Sequence, residues 1–184
     1  ILHRAVDLAA LAKETGREKA EVEAVLARAR EKLLAVRSER ERPLLDDKVL
    51  TGWNGLMIGA MAAGYRVLGD ERYLAAARGA ADFLLANLVR DGRLLRRYRE
   101  GEARHLAVLS DYAYFTAGLV DLYETTGEAR WLEEAIRLVD GAEELFSDDE
   151  TGAWFETGDD GEKLLVRPRD PYDGAIPAAG SILA

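Results

Sequence analysis

The stretch that decides the fold reads Tyr65-Arg66-Val67-Leu68-Gly69-Asp70-Glu71-Arg72-Tyr73-Leu74. Its pattern returns as Tyr123-Glu124-Thr125-Thr126-Gly127-Glu128-Ala129-Arg130-Trp131-Leu132. The tyrosine, the glycine and the later aromatic residue each recur 58 positions on, without a gap. A fixed period of this kind indicates an array of structural units, none of which can bury its apolar face alone.

Each copy lies in the same predicted order of elements. The first helix of each unit is apolar on nearly all sides, which predicts burial all round, and the second is amphipathic. A turn and two short strands follow. The predicted helices are 52–68 and 71–89, then 111–125 and 128–146, and the predicted strand pairs are 93–99 with 104–108 and 153–157 with 164–167.

Buried helices that alternate with amphipathic ones predict two concentric layers. The fold class is therefore mainly α: a partial (α/α)6 toroid, six-hairpin glycosidase-like, with short β-hairpins between the helical hairpins. An α-solenoid is the competing array, and the β-hairpins make it less favoured. Residues 1–43 form a leading helical segment that ends at Pro43. Residues 44–184 form an incomplete barrel with units at about 44–108 and 109–170 and a third starting at 171–184.

Composition excludes several classes of function. The chain has 184 residues, 48% of them hydrophobic and 32% charged, which is ordinary for a folded domain. Its net charge of −9 argues against nucleic acid and anionic membranes as partners. The basic cluster at Arg93, Arg96, Arg97 and Arg99 is read as a solvated strand edge rather than an anion site.

Neither cysteine chemistry nor membrane insertion is predicted. The sequence has no cysteine and no signal-peptide pattern, and its longest apolar run, 55–65, is too short for a bilayer. These features predict a cytoplasmic location. The chain opens on Ile1 rather than Met and stops where a helix begins, so we expect a fragment of a longer protein. Such a fragment would expose the sides of its inner helices and could self-associate.

The repeat aligns three residues at the mouth of the toroid, the rim formed by the N-terminal ends of its inner helices. They are Trp53, Asp111 and Asp173, followed by Asn54, Tyr112 and Gly174. Aromatic rings beside carboxylates suit a sugar, and paired carboxylates can act as acid and base in glycoside hydrolysis. The alternative is structural: Asp111 and Asp173 as helix caps and Trp53 as a core residue.

Other candidates surround this mouth. Asp46 and Asp47 precede the first inner helix and could bind a ligand or cation, or form a clasp with Lys48. His105 is the one imidazole in the repeat region, so it is a candidate acid or base, with a structural role as the alternative. Arg169 lies on the arm that leads to Asp173. No metal-ligand spacing and no phosphate-binding glycine loop occurs, so no metal or cofactor is predicted.

Three motifs carry a resemblance to a known family. They read Asp46-Asp47-Lys48-Val49-Leu50-Thr51-Gly52-Trp53-Asn54-Gly55-Leu56-Met57, Ser110-Asp111-Tyr112-Ala113 and Asp170-Pro171-Tyr172-Asp173-Gly174-Ala175-Ile176-Pro177. The chain resembles proteins in which a thioredoxin-like domain precedes a six-hairpin helical barrel, a family that includes spermatogenesis-associated protein 20 and bacterial YyaL-like proteins. The resemblance covers essentially the whole chain.

The resemblance implies a barrel akin to those of glycoside hydrolases and N-acylglucosamine 2-epimerases. It also implies a thioredoxin-like domain in the full-length protein. Three positions depart from the family pattern Pro-Ser-Gly-Asn-Ser, because this chain reads Pro177-Ala178-Ala179-Gly180-Ser181. The missing serine and asparagine predict an altered site near the mouth.

Two functions of different classes remain open. The first is a carbohydrate-binding or carbohydrate-active barrel, hydrolase-like or 2-epimerase-like, with a sugar as ligand. Epimerase chemistry needs a pair of histidines, and only His105 is available in this region. The second is a non-catalytic helical scaffold that supports a thioredoxin-like domain or a protein partner.

Overall fold

The computed structural model describes residues 5–184, which form two compact units, one ending at Asp46 and one spanning Asp47–Ala184. The first unit holds helices α1 (Leu8–Thr15) and α2 (Lys19–Ser38). The Asp7 carboxylate caps α1 by accepting hydrogen bonds from the N–H groups of Ala9 and Ala10 at 2.8 and 2.9 Å. The division of the chain at residue 43 and the proposed barrel units stay predictions about domain organisation.

The second unit follows the predicted order of helical hairpins. It contains β1 (Val49–Leu50), α3 (Thr51–Leu68), α4 (Glu71–Asn87), β2 (Val89–Arg90), β3 (Arg93–Arg99), β4 (Glu102–Leu106), α5 (Leu109–Thr126), α6 (Ala129–Phe146), β5 (Ser147–Asp148), β6 (Ala153–Trp154) and α7 (Ala179–Leu183). Helix α3 packs on α4 and α5, and α5 packs on α6 and α7. The mainly helical fold with short hairpins is confirmed.

The repeated tyrosine and glycine end the two inner helices in the same way. Gly69 and Gly127 adopt left-handed conformations with φ of 66° and 69°. Their N–H groups donate to the carbonyls of Tyr65 and Tyr123 at 2.8 and 2.7 Å. A residue with a Cβ is strained in this conformation. Glycine therefore recurs in the sequence at the position where the inner helix of each unit ends.

The outer helices bury one face each. In α6 the buried residues recur every three to four positions, from Trp131 to Phe146, as an amphipathic surface helix requires.

The two inner helices differ in burial. Helix α5 is buried on nearly all sides, whereas α3 is not: Trp53 and Met57 are 68% and 52% exposed. The expectation of burial all round is therefore wrong for α3, because these two apolar side chains are mostly exposed.

The inner helices α3 and α5 touch through glycine. A Cβ on Gly55 would lie 2.5 Å from the backbone N of Phe115, and one on Gly118 would collide with the carbonyl oxygen of Gly55. Both helices therefore approach backbone to backbone at this point. The absence of a side chain at Gly55 and Gly118 is what allows this close packing.

Strand β3 is the centre of a four-stranded antiparallel sheet. It pairs with β1 (Val49 opposite Tyr98), with β2 (Val89 opposite Leu94) and with β4 (Arg97 opposite Arg104). This sheet ties the start of α3 to the hairpin that precedes α5. Thr51, the first residue of α3, donates its hydroxyl to the Leu95 carbonyl at 2.6 Å and strengthens that tie.

The second hairpin differs from the prediction. Strand β6 ends at Trp154, and residues 164–167 form no strand. The side chain of Arg167 takes the place of strand pairing: it donates to the carbonyls of Leu145 and Thr157 at 2.9 and 3.1 Å. The segment is thus held by a guanidinium rather than by a ladder of backbone hydrogen bonds. Within residues 5–184 no helix is long and apolar enough to cross a membrane.

Candidate active-site cleft

A cleft of about 190 Å³ opens at the N-terminal ends of α3, α5 and α7. Its walls come from the starts of α3 and α5, from β3 and from the irregular segment 170–179. The lining residues are Leu50, Gly52, Trp53, Arg96, Ser110, Asp111, Tyr114, Glu156, Asp170, Tyr172, Ile176, Pro177, Ala178 and Ala179. The cleft therefore lies at the mouth that the repeat predicted.

Asp111 lies at the base of this cleft and is 4% exposed. One carboxylate oxygen accepts the N–H of Gly52 at 3.0 Å. The other accepts the N–H of Val108 and the Nη1 of Arg96, both at 3.1 Å. Burial raises the pKa of Asp111 above its ordinary value, and the Arg96 charge and the two N–H groups oppose that rise. The side chain connects the starts of two inner helices and one strand.

Glu156 supplies a second carboxyl group to the cleft. Its backbone is fixed on both sides, since its N–H donates to Pro168 at 2.8 Å and its carbonyl accepts the N–H of Leu109 at 3.0 Å. Burial raises the pKa of Glu156, hydrogen bonding from Ser110 opposes the rise, and the charges of Asp170 and Asp111 add to it. Glu156 is therefore a half-buried carboxyl with two acidic neighbours.

Aromatic side chains form the rim. The Trp53 ring is largely exposed, and it lines the cleft together with Asp111 at its bottom. Tyr172, on segment 170–179, is also exposed. Tyr114 donates its hydroxyl to the Pro177 carbonyl at 2.7 Å and so fixes segment 170–179 to α5. Burial, with the charge of Glu156 as the next cause, raises the pKa of Tyr114.

Comparisons with known proteins agree with this architecture. No protein-family model matches the chain. Spermatogenesis-associated protein 20 from Homo sapiens is 39% identical over 165 residues, which cover 84% of the chain and 21% of that protein. The Rattus norvegicus protein is 38% identical over 180 residues, 92% of the chain and 23% of its own length. The chain is similar to one segment of spermatogenesis-associated protein 20.

The predicted family resemblance is thus confirmed, and the chain spans about a fifth of the length of these relatives. Two solved structures share its fold. A glycoside hydrolase of family 105 from C. acetobutylicum matches 96% of the chain and 52% of its own, with a TM-score of 0.59 and 16% identity. A sugar epimerase from a ruminal bacterium matches 77% and 38%, with a TM-score of 0.58 and 20% identity. These likenesses establish the fold, that of an (α/α)6 barrel, and nothing finer.

The structure brings two of the predicted mouth residues together. Trp53 and Asp111 are each the third residue of an inner helix, and both line the cleft. Asp173 is not equivalent to them, because α7 begins only at Ala179. Its carboxylate instead accepts the N–H of Ala178 at 2.8 Å and the hydroxyl of Ser181 at 3.1 Å. Ser181 is the third residue of α7, and the helix starts late because Pro177 and the extended Ala178 precede it.

Other predicted residues lie away from the cleft. Tyr112 is 2% exposed and its hydroxyl accepts from Arg93 and from the Leu94 N–H, so it belongs to the core. His105 is exposed on β4 with a φ of 63°, in a groove that includes Thr157. Arg169 pairs with Asp148.

Three further candidates have local roles in the structure. The side-chain amide of Asn54 donates to the Leu50 carbonyl at 2.8 Å, one turn back in the chain. Asp47 pairs with Arg99 at 2.6 Å. Asp46 is exposed at the end of the first unit. Within residues 5–184 no three histidine or acidic side chains are grouped to hold a metal ion.

Sequence reasoning missed several lining residues. Glu156 was missed, although the N–H of Leu95 donates to Leu88 and that of Phe155 to Phe146, which makes Glu156 the counterpart of Arg96 in the first unit. Arg96 was read as part of a solvated strand edge, although alternation along β3 could have separated it from Arg97. Ser110 and Tyr172 were recognised only as members of family motifs. The departure at Ala178 and Ala179 lies in the wall of the cleft itself.

Proposed function

We propose that the cleft binds a sugar ring and that the barrel is a carbohydrate-binding or carbohydrate-active domain. The observation that carries this proposal is the position of the exposed Trp53 ring beside the carboxyl groups of Asp111 and Glu156 in one cleft. An aromatic face packs against the C–H face of a sugar, while carboxylates accept hydrogen bonds from its hydroxyl groups.

The two carboxyl groups differ in a way that suits acid and base catalysis. Burial, and then the charges of the flanking acidic side chains, raise the pKa of Glu156. Burial also raises the pKa of Asp111, but the adjacent Arg96 guanidinium opposes that rise. A carboxyl group with a raised pKa can deliver a proton to a leaving oxygen, and a partner carboxylate can stabilise the positive charge that develops. We therefore propose Glu156 as the proton donor and Asp111 as the ionised partner of a hydrolase-type reaction.

This assignment favours hydrolase over 2-epimerase chemistry. No histidine stands among the described residues that line the cleft, and His105 borders a different groove. The shared fold with a glycoside hydrolase and a sugar epimerase supports a carbohydrate ligand in general terms. The activities in those names belong to those proteins.

The test compares sugar binding by the native chain and by Trp53→Ala. Calorimetric titration with mono- and oligosaccharides should show binding to the native chain, and the variant should bind about tenfold more weakly, or by about 1.4 kcal/mol. Stability should change by less than about 0.5 kcal/mol because Trp53 is mostly exposed. Val67→Ala is the matched control, since Val67 is exposed at the far end of the same helix. Absence of binding to every sugar tested would overturn the proposal.

One observation favours a non-catalytic scaffold as the second candidate. The hydrogen bonds found for the Asp111 carboxylate come from Gly52, Arg96 and the N-cap of its own helix, as a purely structural clasp requires. In that case Asp111→Asn lowers the free energy of unfolding and changes no ligand affinity. Under the first proposal the same variant also weakens sugar binding at temperatures where it is fully folded.

A further inference from the structure

The balance of charge in the cleft is negative. Three carboxyl groups line it, those of Asp111, Glu156 and Asp170, and among the described lining residues Arg96 carries the only positive charge. Arg96 already serves as the counter-charge of Asp111, because its Nη1 lies 3.1 Å from that carboxylate. One acid is thus neutralised and two are not.

The two remaining acids lie on different walls. Glu156 is fixed between the start of α5 and Pro168, and Asp170 begins the irregular segment whose exposed Tyr172 also lines the cleft. The charged or ionisable groups facing Glu156 are Asp111 and Tyr114 from α5, Arg96 from β3 and Asp170 from that segment. The charge of Asp170 disfavours ionisation of Glu156. A cation between these two side chains would remove that repulsion.

We propose that the cleft selects a sugar with a free ammonium group, a hexosamine, over neutral and acidic sugars; this inference rests on the proposed sugar binding. The volume of about 190 Å³ is below the range of roughly 300 to 1,000 Å³ of drug-sized ligand pockets, so it suits a single ring. The ammonium group bonds to Asp170 and to Glu156 in its ionised form, and the sugar ring packs on Trp53. Rings such as Trp53 also attract a nearby cation through their π faces.

The same arrangement disfavours an acidic sugar. A carboxylate on the ligand would share the Arg96 guanidinium with Asp111 and so weaken the counter-charge of a buried carboxylate. Away from Arg96 it would face two acids of its own sign. An N-acetylated hexosamine keeps the ring and loses the charge, so it separates the effect of the ammonium group from that of ring shape.

Calorimetric titration of the chain with four sugars tests this inference. Glucosamine, glucose, N-acetylglucosamine and glucuronate are compared at pH 6 and low salt. We expect glucosamine to bind about tenfold more tightly than glucose and N-acetylglucosamine, and glucuronate to bind most weakly. The preference should shrink as ionic strength rises, because the cleft is open to solvent and its charges are screened.

Two variants assign the effect to its residues. Glu156→Gln and Asp170→Asn should each reduce the preference for glucosamine over glucose severalfold, and Asp170→Asn should leave the affinity for glucose almost unchanged. Asp170 is exposed, so its variant carries little risk of misfolding. Glu133→Gln, the same charge change on the exposed face of α6, should leave all four affinities unchanged.

The outcomes separate this inference from the proposal beneath it. Equal affinities for glucosamine and glucose overturn the ammonium preference while sugar binding stands. A preference that survives in both Glu156→Gln and Asp170→Asn also overturns it. If none of the four sugars, nor any sugar in the wider titration above, binds to the chain, the proposed function itself falls.

Discussion

Asp111 shows how one buried side chain serves two neighbouring helices. Its carboxylate accepts N–H groups from the starts of both α3 and α5, where a helix has donors without intrahelical partners. The Arg96 guanidinium supplies a counter-charge that offsets the free-energy cost of burying this carboxylate. An ordinary N-cap serves only its own helix, whereas Asp111 also fixes the distance between two inner helices and with it the width of the cleft.

The raised pKa of Glu156 makes the stability of the folded chain depend on pH. The pKa of Glu156 in the folded state is raised above its unfolded value of about 4.3. Between these two pKa values the native state binds more protons than the unfolded state. The stability that protonation supplies is complete below the unfolded pKa and is lost as pH rises through the folded pKa. Glu156→Gln does not titrate, so it should gain stability relative to the native sequence as pH rises from 4 to 7.

The measurement is urea unfolding of both proteins at each pH, with the difference in unfolding free energy as the readout. The difference is needed because groups with lowered pKa values, such as Asp148 and Asp160, give the opposite trend in each protein alone. A difference for Glu156→Gln that does not vary with pH would contradict the raised pKa.

At the scale of elements, the contact between α3 and α5 depends on two glycines. We predict that Gly118→Ala destabilises the chain by about 3 kcal/mol or more, because its Cβ meets the Gly55 carbonyl and a backbone cannot rotate away as a side chain can. Gly79→Ala is the matched control in α4, where a Cβ meets nothing within 4 Å. That change should stabilise the chain by about 0.5 to 1 kcal/mol through helix propensity alone.

Urea unfolding measures both variants. Circular dichroism at 222 nm should follow the loss of helix, and the midpoints should move in opposite directions for the two alanines. If Gly118→Ala is as stable as the native sequence, α3 and α5 do not pack as closely as described here. If Gly79→Ala is destabilising, the helix-propensity argument fails instead.

The helices could be predicted from the sequence because their signals are local. The apolar periodicity of α6 and the glycines at 69 and 127 act within a few residues of where they stand. The cleft could be predicted only in part: Trp53 and Asp111 follow from the repeat, whereas Glu156 lies 45 residues beyond Asp111, just after the short strand β6. The strand predicted at 164–167 does not form, for a related reason. The side chain of Arg167 holds this segment through hydrogen bonds to residues distant in sequence, and no local pattern encodes those bonds.

At the scale of the whole molecule, the chain consists of two units joined by an exposed stretch. Residues 39–48 are exposed, and no helix or strand is formed between Ser38 and Val49. Leu44 and Leu45 are large apolar residues in this stretch and both are exposed. Apolar side chains without packing partners, on backbone without regular structure, mark a position where the chain can enter a protease active site. We propose on this basis that the barrel begins close to residue 44.

Limited digestion with thermolysin tests that boundary, since this protease cuts before large apolar residues. We expect the first cuts before Leu44 or Leu45, with a lasting product that starts there and keeps the helical circular dichroism of α3 to α6. Leu165 is just as exposed, but the segment around it is tied down by the Arg167 guanidinium and by the ion pair of Arg93 with Asp160. Because cleavage requires several residues of backbone to detach, exposure alone is not sufficient, and the cut at Leu165 should come later. Mass spectrometry of early time points identifies the product ends, and a first cut at Leu165 would contradict the proposed boundary. The Leu44→Asp, Leu45→Asp double variant should lose the early cut while the rate at Leu165 stays the same.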